Sequence, residues 1–171
     1  MPFTPFHFGP GLFGKSILAR HFSWIAFAAA QVAIDCETLY YLLQRTYPVH
    51  RFFHTFLGAT IAGIAIGACF IGLRVFLQKQ SVVFTTLIDG LRPTLRSELT
   101  NAGLMVGALA GGISHPFLDG IVHQDVHPFG PWSDENPLLR FIDLEALHIA
   151  CIGLGLAGLV VVLMRLYRET L

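Results

Sequence analysis

Histidines and carboxylates stand in this chain where the surrounding sequence is apolar. Asp35 and Glu37 end a long apolar stretch, and His50 and His54 occupy HRFFHT. His115 and Asp119 occupy SHPFLDG, and Glu145 and His148 occupy LEALH. Ionisable groups inside apolar segments are costly, and by default they mark a functional site. His50 and His54 are four residues apart, as are His115 and Asp119, so on a helix each pair shares a face. Asp35 and Glu37 are two apart and cannot both face one centre from a regular helix. Either the helix unwinds there or one of the two supports the other's neighbours. Imidazole with carboxylate is the donor set of a divalent metal ion: zinc first, with manganese, iron or nickel as alternatives. Cys36, Cys69 and Cys151 are scattered and form no CxxC, so they read as small buried hydrophobes rather than ligands.

The elements that must carry these groups follow from composition. Of 171 residues, 54% are hydrophobic and only 13% charged, with a mean hydropathy of +0.62. A soluble domain carries about 25% charge. The formal net charge is zero, which excludes the basic surface of a nucleic-acid partner. Segments 52–73, 99–118 and 146–164 contain no Asp, Glu, Lys or Arg, and each is close to the roughly 20 residues that a helix needs to cross a bilayer. Segment 22–43 has the length but contains Asp35 and Glu37. The expectation is one all-α integral membrane domain over 1–171, a bundle of about four transmembrane helices near 22–43, 52–75, 99–122 and 145–166. Segment 82–95 reads as an interfacial helix broken at Gly90 and Pro93. HPFGPWSDENP, with Pro128, Pro131 and Pro137, reads as irregular backbone. The N-terminus lacks the charged start and apolar run of a secretory signal and is taken as mature sequence.

With four spans, the chain ends and the loop 78–98 share one side. That side holds Lys15, Arg20, Arg74, Lys79, Arg92, Arg96, Arg165 and Arg168. The positive-inside rule places it in the cytoplasm, in an inner cell membrane. The outward side then receives most of the acids and histidines, so all four spans bring imidazole or carboxylate to one face. Each fragment has a plainer reading. HxxxH at a helix start is common, HPFLD fits a helix bent at Pro116 around a satisfied histidine, and Asp125, Asp134 and Glu135 fit solvated loop charges. The convergence on one face raises the set above its parts.

These motifs, in this order, resemble the membrane-bound metal-dependent hydrolases of the YdjM type. HRFFHT resembles that family's HRG-x-THS element, and SHPFLDG followed by HPFGPWS its H-x-x-LD element with a Pro-Phe segment. Asp35 and Glu37 sit where the family has D-x-D(H), and TPFHFG resembles its N-terminal T-H. The resemblance implies His7, Asp35, His50, His54, His115 and Asp119 as metal-binding positions. The chain departs from the pattern at Glu37, which replaces the second Asp, and at Thr38, which replaces the following His. Phe52 replaces a small residue, and the His50–His54 gap is one residue shorter. For His7 to join the set, an N-terminal re-entrant or interfacial segment must bring it to the same face, turning at Gly9, Gly11 and Gly14.

The expected function is metal-dependent hydrolysis of a lipid-linked or amphipathic substrate, in particular a phosphoester, that reaches the site from the membrane. Asp119 or Glu37 would complete the shell or act as general base, and Arg51 would orient an anionic group. A non-enzymatic metal-binding transporter or sensor is the alternative, with a structural subunit built on a buried polar network behind it. A single Glu145-x-x-His148 also matches half of a di-metal carboxylate motif.

Overall fold

A computed structural model describes residues 5–171, and Thr4 of the TPFHFG segment lies outside them. Every regular element among the described residues is helical. A 3-10 turn, Pro5–His7, leads into α1, Phe8–Leu18, and α2 follows as Trp24–Leu43. Then come α3, Phe56–Gln80; α4, Val82–Asp89; α5, Pro93–Arg96; α6, Asn101–Val122; and α7, Leu144–Arg168. The longest four start at side-chain caps. Ser23, Thr55, Thr100 and Asp143 each accept a backbone N–H from the first turn of α2, α3, α6 and α7 respectively. A cap of this kind contributes about 1 kcal/mol and fixes where the helix begins.

Helices α3, α6 and α7 are long and apolar enough to cross a membrane. Helix α2 has similar length but carries Gln31, Asp35 and Glu37 and does not join them. Within its most apolar stretch α6 is 56% buried, against 22% for α3 and 17% for α7, so α6 is the central helix. It packs between α2, which runs parallel to it, and α3, which runs antiparallel, while α1 lies along α7. The outer helices expose large apolar side chains such as Ile61, Ile64 and Phe76 on α3 and Ile149, Leu156 and Leu163 on α7. An apolar surface of this extent is what lipid contact requires and water penalises.

Small residues set the registers. A Cβ on Gly107 would strike the carbonyl of Ser23, and one on Gly111 would strike the backbone of Phe27. Gly112 lies in the same way against Ala59, and Gly63 against Ala108. Close approach through glycine is the usual device of membrane helix pairs. Its consequence here is positional. With Ser23 opposite Gly107 and Phe27 opposite Gly111, the next turns of α2 bring Gln31 to Ser114 and Asp35 to His115.

Two expectations are corrected. Helix α3 starts at Phe56 rather than near 52, because Thr55 is extended and caps it, leaving Phe52–His54 as a separate 3-10 turn. The N-terminal segment turns at Ala19, whose φ is 46°, not at its glycines. Gly9 and Gly11 instead let α1 approach Cys151 of α7 and the Phe27 ring of α2. The described N-terminus therefore starts at the same end as the histidine motifs, and α1 runs away from them. Lys15, counted among the basic residues of the cytoplasmic side, is buried. Its ammonium lies 2.6 Å from Glu98 and donates to Ser97 and to the Phe22 carbonyl.

Glu98 also accepts from the Ser23 hydroxyl and the Ile25 N–H, so this ion pair joins α1, α2 and the start of α6. Removing one partner leaves a buried unpaired charge, which costs about 3 kcal/mol or more. Glu98→Ala should lower the thermal midpoint of detergent-solubilised protein sharply, and the double variant Lys15→Met/Glu98→Gln should recover much of the loss. Equal midpoints for wild type and Glu98→Ala would show that the pair holds nothing together.

Candidate metal centre

Four buried side chains from three places in the chain meet at one end of the bundle: Asp35 of α2, His54 of the 3-10 turn, and His115 and Asp119 of α6. His115 Nε2 lies 3.4 Å from Asp35 Oδ1 and 3.2 Å from Asp119 Oδ2. His54 Nε2 lies 3.5 Å from Asp119 Oδ2 and 3.9 Å from Asp35 Oδ1. Donors bound at roughly 2.0–2.2 Å in a tetrahedron around one zinc are separated by about 3.4 Å. The spacing of this set is therefore that of ligands around an ion. His115 Nε2 is moreover fully buried with no hydrogen-bond partner among the described residues. A buried polar atom in that condition costs about 1–3 kcal/mol unless something satisfies it. The Asp and His cluster can hold a metal ion, and the donor chemistry, two imidazoles and two carboxylates, fits a divalent one.

The ring nitrogens that face outward are fixed. His115 Nδ1 pairs with Gln31 Oε1, whose own amide donates to the Ser114 hydroxyl. His54 Nδ1 lies 3.2 Å from Glu37 Oε2. In each case the outer ring nitrogen is held by an oxygen and Nε2 faces the cluster, the arrangement that orients histidine ligands. Thr38, which stands where the resembled family has a histidine, places its hydroxyl 3.2 Å from His54 Nε2.

The two acids of α2 thus divide. The helix stays regular through both, so Asp35 faces the cluster and Glu37 faces the loop. Glu37 Oε2 also accepts the N–H groups of Arg51 and Phe53. One carboxylate therefore shapes the non-helical turn and orients the imidazole that the turn carries.

The remaining candidates lie around this group. His7 is buried, with Nε2 3.4 Å from Asp119 Oδ1 and its ring edge-on to His115. His50 does not share a helix face with His54, since both precede α3. Their rings nevertheless meet at 4.7 Å between centroids. His50 belongs to a second group with His123 and with Asp125, which the sequence reads as a solvated loop charge. Burial, and after it the neighbouring His54, holds His50 below the ordinary imidazole value; burial does the same for His123. Both rings are therefore neutral near pH 7, with a lone pair available. Arg51 stands off the cluster: its guanidinium lies 3.8 Å over the Tyr41 ring and its Nε donates to Pro48. Glu145 is exposed, and His148 stacks on Phe6 rather than joining either group. Segment 123–143 closes over this end, with Val126 and Pro128 buried and the Pro128 carbonyl accepting from Phe56 N–H.

Removing an outer carboxylate from a metal-binding histidine weakens affinity roughly 10–100-fold. Glu37→Ala should show that loss in zinc titrations of chelator-stripped protein, with His115→Ala losing more. Wild-type affinity in Glu37→Ala would deny it the orienting role. Compared with protein-family models, with curated proteins and with solved structures, the chain matches none.

Proposed function

We propose that this chain is a membrane-embedded metal-dependent hydrolase, as its resemblance to the YdjM-type family implies, acting on an amphipathic phosphoester at one membrane face. The observation that carries this reading is the cavity beside the cluster. About 250 Å³ in volume, it is lined by His7, Asp119 and His123 together with apolar side chains such as Phe6, Leu118 and Leu147. Such a space suits a molecule with a polar reacting group and an apolar tail. It lies between the N-terminal turn, α6 and α7, so a lipid-like substrate has a lateral route from the bilayer.

In this reading Asp35, His54, His115 and Asp119 hold the ion, and Glu37 and Gln31 fix the two imidazoles. A divalent ion bound there supplies Lewis acidity, polarising a phosphoryl oxygen and acidifying water. Asp119 borders both the cluster and the cavity, so a substrate in the cavity meets the cluster at that carboxylate. Arg51 keeps the role of an anion clamp only if it leaves Tyr41.

The core between the cluster and the Lys15–Glu98 pair is Ala26, Ala30, Leu104 and Ala108. That offers no polar path to the far face and disfavours transport. Lys15, Arg20, Arg92, Arg96 and Arg165 gather at the far end, which supports an outward-facing site by the positive-inside rule.

The test uses purified protein in lipid nanodiscs, stripped and reloaded with zinc or manganese, and fluorogenic phosphodiesters of short and long chain. Wild type should hydrolyse the long-chain substrate, and chelation should abolish turnover. His54→Ala and Asp119→Asn should reduce it on the order of 100-fold or more. Leu147→Trp, which fills the cavity, should raise KM for the long-chain substrate and leave the short one little changed. Metal-loaded protein that cleaves no phosphodiester, or turnover indifferent to chelation, would overturn the proposal.

A further inference from the structure

The two oxygens of Asp119 look in different directions. Oδ2 faces His54 and His115 at 3.5 and 3.2 Å, and Oδ1 faces His7 and His123 at 3.4 and 3.9 Å. A carboxylate with imidazole nitrogens grouped on both oxygens has the layout of a bridge between two ions. His123, beside Oδ1, also belongs to a second donor group. His50, His123 and Asp125 each offer a ligand atom within 4.8 Å of the others. The His50 and His123 rings stack at 4.5 Å between centroids.

Two of these donors already face each other, with His50 Nδ1 2.8 Å from Asp125 Oδ1. Asp125 Oδ2 accepts the N–H groups of Val49 and His50 and so shapes that loop, as Glu37 shapes the next turn. The set also has an entry path. An open cavity of about 650 Å³, lined by Thr38, Tyr47, Pro48, His50, His123 and Asp125, connects it with the outside. His123 and Asp119 are shared in the other direction: they line the apolar cavity on the opposite side.

We infer that the centre is binuclear, with a second divalent cation held by His50, His123 and Asp125 beside the first and Asp119 bridging the two. The inference rests on the metal-centre reading above and adds the second ion to it. Paired ions about 3.5–4 Å apart are the usual arrangement for clamping both the attacking and the leaving oxygen of a phosphoester. A second site therefore suits the phosphoester substrate proposed above. The water-filled side would deliver the nucleophile and the apolar side would hold the tail.

The experiment counts metal. Chelator-stripped protein in detergent is reloaded with manganese, freed of excess, and assayed for ions per chain, with electron paramagnetic resonance on the same samples. Wild type should hold two ions and give the exchange-coupled signal of a close pair. His123→Ala and the near-isosteric Asp125→Asn should each hold one ion and give an isolated signal, with a cooperative unfolding transition retained before loading. One ion in wild type, lost in His115→Ala and kept in His123→Ala, would overturn the second site and leave the first standing. No ion in wild type would overturn both. Two uncoupled ions would overturn the bridge.

Discussion

Asp119 is the constraint on which the rest of this end of the molecule depends. Its carboxylate is buried, and four imidazoles surround it at 3.2 to 3.9 Å. Gathering so many polar groups in a medium of low dielectric is costly unless each is held and satisfied. Two of these rings are tethered from outside, His115 by Gln31 and His54 by Glu37. The tethers contribute the hydrogen bonds, and the donors they hold lie at spacings that suit a cation.

That constraint explains otherwise separate features of the fold. Helices α2 and α6 must run parallel and very close for Asp35 and Gln31 to reach His115, and Gly107 and Gly111 permit that approach. Thr55 must stop α3 short, because a helix continued to His50 would project its two imidazoles in parallel along one face. The broken backbone instead lets His54 enter the cluster while His50 stays beside His123. Helix α1 is too short to cross a bilayer at 1.5 Å per residue. Its length suits another task, carrying His7 at one end and Lys15 near the other, where the ion pair with Glu98 anchors it.

How much of this was legible varied with how local the signal was. The spacing of His115 and Asp119 on one apolar helix puts them together, and α6 does so straight through Pro116. The alternation of Asp35 and Glu37 shows that only one faces the centre, but not which, since that depends on the packing partner. The His50–His54 spacing misleads, because the cap at Thr55 overrides the helical period. HQDVH carries no periodicity, so the part played by His123 and Asp125 depends on a loop folding back over the bundle. Gln31 and Lys15 gave no signal of their own: one amide and one ammonium matter here only through side chains more than 80 residues away. The glycines of α6, four apart at 103, 107 and 111, were a readable sign of close helix packing.

The placement of polarity also limits the chemistry. A cluster open only to water would serve soluble substrates, and one open only to the bilayer would lack a nucleophile. Here His123 borders an open cavity on one side and an apolar cavity on the other, and Asp119 lines the second. That separation suits the proposed hydrolysis of an amphipathic ester, in which water and tail would enter from different sides. The histidines at the meeting point come from a loop and a helix end rather than from within a span. Irregular backbone is tolerated there because the surrounding helices and segment 123–143 cover it.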